Sequence, residues 1–157
     1  MRTVNVQLYD FNELSPTAKQ HARDHYRNNM EYAWCDDSIG SIKAFCAKFG
    51  VELTDYSVDS CWFSYKTNAA NDNFRGVKLR DINPDSMPTG YCLDADLYIE
   101  FHRVFRLTGN AKVAFDRAMY AGFKAWRNDL AYQESDEYVE ETLESMGCEF
   151  LETGRIF

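Results

Sequence analysis

The chain has 157 residues, the length of one domain, and 45% of them are hydrophobic and 15% aromatic, which excludes a disordered polymer. No run approaches the ~20 consecutive apolar residues that a membrane helix needs, and the N-terminus lacks the apolar stretch of a signal peptide, so a cytoplasmic protein is expected. A net charge of −8 works against direct binding of nucleic acid or phosphate-bearing substrates.

Along the chain, Val4, Val6 and Leu8 alternate with Asn5, Gln7 and Tyr9, which predicts a strand over 3–9 with one buried face. After a turn at Asp10–Leu14, Ser15-Pro16 supplies an N-cap and a first-turn proline, and apolar residues at helical spacing predict a helix over about 16–33. Asp36-Asp37-Ser38 caps a second helix whose stripe is Ile39, Ile42, Phe45, Cys46 and Phe49, closed by Gly50. Val51–Val58 and Cys61–Lys66 flank Asp59-Ser60 and predict a β-hairpin. Thr67–Asn73 is a loop, Phe74–Ile82 a short strand or helical turn, and Asn83–Gly90 irregular.

Three more helices follow, over about 91–107, 111–132 and from a Ser135 cap to Gly147. Cys148–Leu151 reads as a strand, Thr153-Gly154 as a turn and Arg155–Phe157 as a short return. The pattern is a single α+β domain over 1–157, with about five helices on a small, mainly antiparallel sheet.

The acidic residues are unevenly placed. Asp129 to Glu152 holds nine of them and no Lys or Arg, which leaves 16 acidic and 17 basic residues in the rest of the chain. Within that window Asp136, Glu137, Glu140, Glu141 and Glu144 fall on one side of the last helix, at roughly phosphate-like spacing. Such a row repels nucleic acid and attracts basic grooves built to hold it. Core positions Tyr138, Val139, Thr142, Leu143 and Met146 are interleaved with the acids, so the same row also reads as a solvated flank that keeps the protein soluble.

Other constellations carry less. His21 and His25 share a helical face, but no third ligand and no H-E-x-x-H pattern accompanies them. Arg75, Lys78 and Arg80 make a local basic cluster. Asp94, Glu100 and His102 could serve as acid–base groups beside the Pro/Gly loop, the basis of a small-enzyme alternative using the Tyr91–His102 region. Five scattered cysteines form no C-x-x-C pair and read as buried or partly buried free thiols. Phosphate-binding and nucleophile-elbow motifs are absent, and no catalytic, cofactor or metal residues are assigned.

Two stretches carry a family resemblance: Phe11-Asn12-Glu13-Leu14-Ser15-Pro16-Thr17-Ala18-Lys19, and Phe74-Arg75-Gly76 followed by Met87-Pro88-Thr89-Gly90-Tyr91-Cys92-Leu93-Asp94. Together with the aromatic long helix and Ser135-Asp136-Glu137-Tyr138, they resemble uncharacterised bacteriophage and prophage accessory proteins, loosely labelled antitoxin-like. The resemblance implies the cytoplasm of a bacterial host cell. The expected function is a phage-encoded inhibitor of a host defence system, of anti-CRISPR type. It would bind a basic nucleic-acid-handling protein, such as a CRISPR–Cas effector, through the acidic C-terminal surface, with nucleic-acid mimicry as one mode. An antitoxin neutralising a toxin partner is the alternative the family label suggests.

Overall fold

The computed structural model describes residues 3, 5–83, 85, 87–90 and 92–157, with the backbone alone at Cys92. In chain order the elements are α1 (Pro16–Asn29), α2 (Cys35–Ala47), β1 (Leu53–Val58), β2 (Phe63–Thr67), α3 (Cys92–Thr108), α4 (Ala111–Gln133) and α5 (Asp136–Ser145). This is an α+β fold of five α-helices and one antiparallel strand pair among the described residues. Among the described residues, no helix is long and apolar enough to cross a membrane. The chain divides into two compact units, one made of Met1–Tyr32 with Tyr132–Phe157, the other of Ala33–Ala131.

The first unit joins both ends of the sequence. Pro16 opens α1 in the first turn, where its missing N–H is no loss, and Ser15 Oγ accepts the Ala18 N–H at 3.2 Å. Ser135 caps α5 in the same way, accepting from the Tyr138 N–H at 3.2 Å. Ala18 and Ala22 on α1 are small enough to let α5 approach, and Phe11, Leu14, Val139, Leu143 and Phe150 complete the core. Phe11 meets Phe150 edge to face, with ring centroids 5.9 Å apart.

Among the described residues, the strand expected over 3–9 does not form. Of these only Tyr9 pairs, exchanging both backbone hydrogen bonds with Phe150 at 2.9 Å, and Phe150 bridges in turn to Ile156. Val6, meant for a buried face, is exposed, and Val4 lies outside the described residues. The segments at 148–151 and 155–157 are likewise reduced to these single bridges. Alternation marks a residue pattern that suits a sheet, but a ladder needs a neighbour of matching length.

The second unit is built around aromatic rings. Phe45 from α2, Phe49 from the turn that follows it, Phe74 from the short turn at Asn71–Phe74, Phe101 from α3 and Phe115 from α4 interlock. Phe45 and Phe115 stack with an interplanar angle of 8°. Gly122 on α4 sits against the buried Leu97 of α3, where a Cβ would come within 2.6 Å of Leu97 Cδ2, so the two helices approach more closely than any side chain would allow.

The hairpin turns as the sequence predicts. Asp59 Oδ1 accepts the N–H groups of Cys61 at 2.7 Å and Trp62 at 2.8 Å. Tyr56 pairs with Tyr65 and Val58 with Phe63, which puts these side chains on one face of the ribbon. That face lies on α4, where Tyr65 stacks on Phe123 at 4.6 Å and Tyr56 meets Trp126 at 5.9 Å.

The helix expected to run to about residue 33 stops at Asn29, and α2 starts at Cys35, not after the Asp36–Ser38 cap. Trp34 is the N-cap, in the left-handed region at φ +64°. Asp36 and Asp37 therefore lie inside the first turn of α2, where the helix dipole favours them.

Candidate functional site

Residues advance by about 100° on a helix, which separates the five acids of α5 into two groups. Asp136 and Glu140 lie next to the buried Val139 and Leu143 and face α1. Glu144, Glu137 and Glu141 follow on the outer side and are exposed.

The inner pair is engaged by two arginines of α1. Arg23, only 16% exposed, bonds Glu140 and lies 3.6 Å from Asp136. Arg27 bonds Asp136 and donates through Nε to the Glu134 carbonyl at 2.8 Å. Arg23 is steadied by Gln20 at 2.8 Å, and the Tyr32 hydroxyl donates to Glu134. The arginines thus fasten the start of α5 to α1. The Arg27 hydrogen bond, reinforced by the charges of Arg23 and Arg27, holds the Asp136 carboxyl below the usual carboxylate range.

A depressed folded-state pKa contributes stability above the unfolded value of about 3.9, and that contribution is lost as pH falls through the folded value. The stability gap between the native chain and Asp136→Asn should therefore narrow as pH drops below about 4, as urea midpoints at stepped pH would show. Asp136 is 61% exposed, so the gap is small even at neutral pH.

The outer group has aromatic neighbours. Tyr132 and Tyr138 meet edge to face at 5.5 Å, and Tyr132 is 47% exposed. Partial burial, then the charges of Glu137 and Glu141, push the Tyr132 hydroxyl above its ordinary pKa. Those two carboxylates and the phenol therefore share one patch, with Glu144 one turn further on. From Glu137 to Glu144 the row covers about 10 Å of helix axis.

The remaining candidates do not assemble. Asp94 is fully buried and accepts from the Thr89 and Gly90 N–H groups, each at 3.0 Å, so it closes the turn before α3. Glu100 pairs with Arg103 at 2.7 Å, which lowers its pKa, and His102 Nε2 donates to the Leu79 carbonyl at 3.2 Å. Each of the three thus has its own separate partner.

His21 Nδ1 donates to the Thr153 carbonyl at 3.3 Å, and no group of three His, Cys, Asp or Glu residues that could hold a metal occurs among the described residues. Arg75 is paired with Asp72 at 3.0 Å and Arg80 lies 3.8 Å from Asp81, so the basic cluster is largely countered locally.

Burial pushes the Cys46 thiol up to about 12, which keeps it protonated and inert. Cys35 and Cys148 are half-buried, whereas Cys61 is exposed at the hairpin turn, unlike the partly buried thiol expected there.

Sequence reasoning missed Arg23, Arg27 and Tyr132, and it counted as core Tyr138 and Thr142, which are half-buried, and Met146, which is exposed. The arginines do stand four apart on one predicted helix, a signal that they act together, but nothing local says on what. Comparison with protein-family models, curated proteins and solved structures returned no match.

Proposed function

We propose that the chain is a phage-encoded, protein-binding inhibitor that presents Glu137, Glu141 and Glu144, with Tyr132 and Tyr138 beside them, to a basic nucleic-acid-handling protein of a host defence system. The concrete form is a CRISPR–Cas effector whose cationic channel is occluded. The observation that carries this reading is the exposed, cation-free outer face of α5, fastened from behind by Arg23 and Arg27. A fastened helix loses little freedom on binding, and exposed tyrosines serve as anchors at protein interfaces. The carboxylates mainly raise the association rate and set the sign of the partner.

The test uses the triple variant Glu137→Gln, Glu141→Gln, Glu144→Gln against the purified effector and in a plaquing assay under CRISPR interference. Association should slow by about ten-fold or more at low salt, and the salt dependence should flatten. Unchanged affinity and unchanged salt dependence would defeat the reading. An antitoxin could use the same face, in which case co-expression would rescue growth from a toxin and leave interference untouched.

A further inference from the structure

A cavity of about 410 Å³ opens in the second unit, walled by Trp34, Asp37, Leu93, Asp96, Ala125 and Asp129. It lies within the size range of small-ligand sites. Its wall is mostly apolar, and three helices each bring one carboxylate to it: Asp37 from α2, Asp96 from α3 and Asp129 from α4. No Lys or Arg lines it.

Trp34 is 68% exposed, so its indole gains little from burial in the free protein. It also holds a left-handed backbone conformation that disfavours side chains by about 1–2 kcal/mol. This bulky, exposed ring, kept there at a conformational cost, is part of the cavity wall. Asp96 is an exposed residue, and the partial desolvation of its carboxyl raises it above its ordinary pKa. A bound cation would relieve that penalty.

The geometry points to a binding site for an aliphatic polyamine, whose methylenes lie along Leu93 and Ala125 while its ammonium groups meet Asp37, Asp96, Asp129 and the Trp34 ring. A bare metal ion fits poorly, because these carboxylates do not converge into a metal-holding group. A cation over an indole face is worth about 0.5–2 kcal/mol, and the apolar wall rewards the methylenes that an inorganic ion lacks. The site uses none of the α5 residues, so it stands or falls apart from the inhibitor reading.

The experiment titrates the full chain with spermidine in about 150 mM salt, by calorimetry and by NMR of the Trp34 indole N–H. Saturable binding with a Trp34 shift is expected. Trp34→Gly, which relieves the left-handed strain, and Asp96→Asn should each weaken binding about ten-fold or more without lowering the melting temperature. The Glu137→Gln, Glu141→Gln, Glu144→Gln variant should bind spermidine as the native chain does. No Trp34 response would overturn the proposal, as would equal competition by Mg²⁺, tighter binding of N-acetyl-arginine amide than of spermidine, or loss of binding in the α5 variant.

Discussion

Phe45→Ala is expected to destabilise the second unit by about 3–5 kcal/mol, the range for deleting a fully enclosed ring. Phe45 has no exposed surface, and its ring lies 5.2 Å from Phe49, 5.2 Å from Tyr98, 6.1 Å from Phe101 and 5.6 Å from Phe115. The loss combines three terms: transfer of the ring to water in the folded state's favour is removed, a void is left, and the edge-to-face and stacked pairs disappear. The surrounding rings are rigid and come from α3, α4 and the turn after α2, so the void collapses little. Whole domains are stable by about 5–15 kcal/mol, so the variant sits near the edge of folding. Urea unfolding followed by tryptophan fluorescence should show a much lower midpoint with an unchanged slope. Phe45→Leu, which keeps most of the volume, should cost about 1–2 kcal/mol.

Gly154→Ala is expected to disrupt the first unit by about 2–4 kcal/mol, although the residue lies in a terminal turn. Its φ is +83°, and a Cβ there would stand 2.0 Å from the Ala18 carbonyl oxygen and 2.7 Å from its carbon. Both partners are main chain, so no rotamer change relieves the clash. The turn or α1 must move, and with it the Gly154 N–H bond to the Leu151 carbonyl at 2.8 Å and the His21 contact to Thr153. Gly147 provides the control, since it shares a positive φ of +62° but has nothing within 4 Å of an added Cβ. Gly147→Ala should cost only the backbone term, about 1 kcal/mol. Thermal unfolding of both variants, with amide exchange at Tyr9, separates the two contributions.

The helices were legible because each carries its own local signals. Ser15-Pro16 and Ser135 cap α1 and α5 as read, and α3 and α4 begin and end within a residue of the positions their apolar spacing predicts. The hairpin was legible for the same reason, since Asp59 organises the turn within three residues. The N-terminal segment was not, because alternation over 3–9 says nothing of whether a partner exists.

The backbone of Trp34 was equally hidden. A tryptophan at helical spacing looks like a core residue, and only the folded chain puts it in a left-handed cap. At the acidic site, composition shows the carboxylates, and helical spacing puts them on one flank. What divides them is that Arg23 and Arg27 reach residues more than a hundred positions away, a pairing that no local pattern encodes.

The first unit is assembled from the earliest and latest segments of the polypeptide, while Ala33–Ala131 is continuous. On the ribosome, the central stretch can finish folding while Phe11, Leu14, Ala18 and Ala22 still wait for Val139, Leu143 and Phe150. At about 5–20 residues per second the delay is on the order of seconds, long enough for a chaperone to find the naked N-terminal helix. The α5 face is therefore fastened to α1 only after translation has passed it.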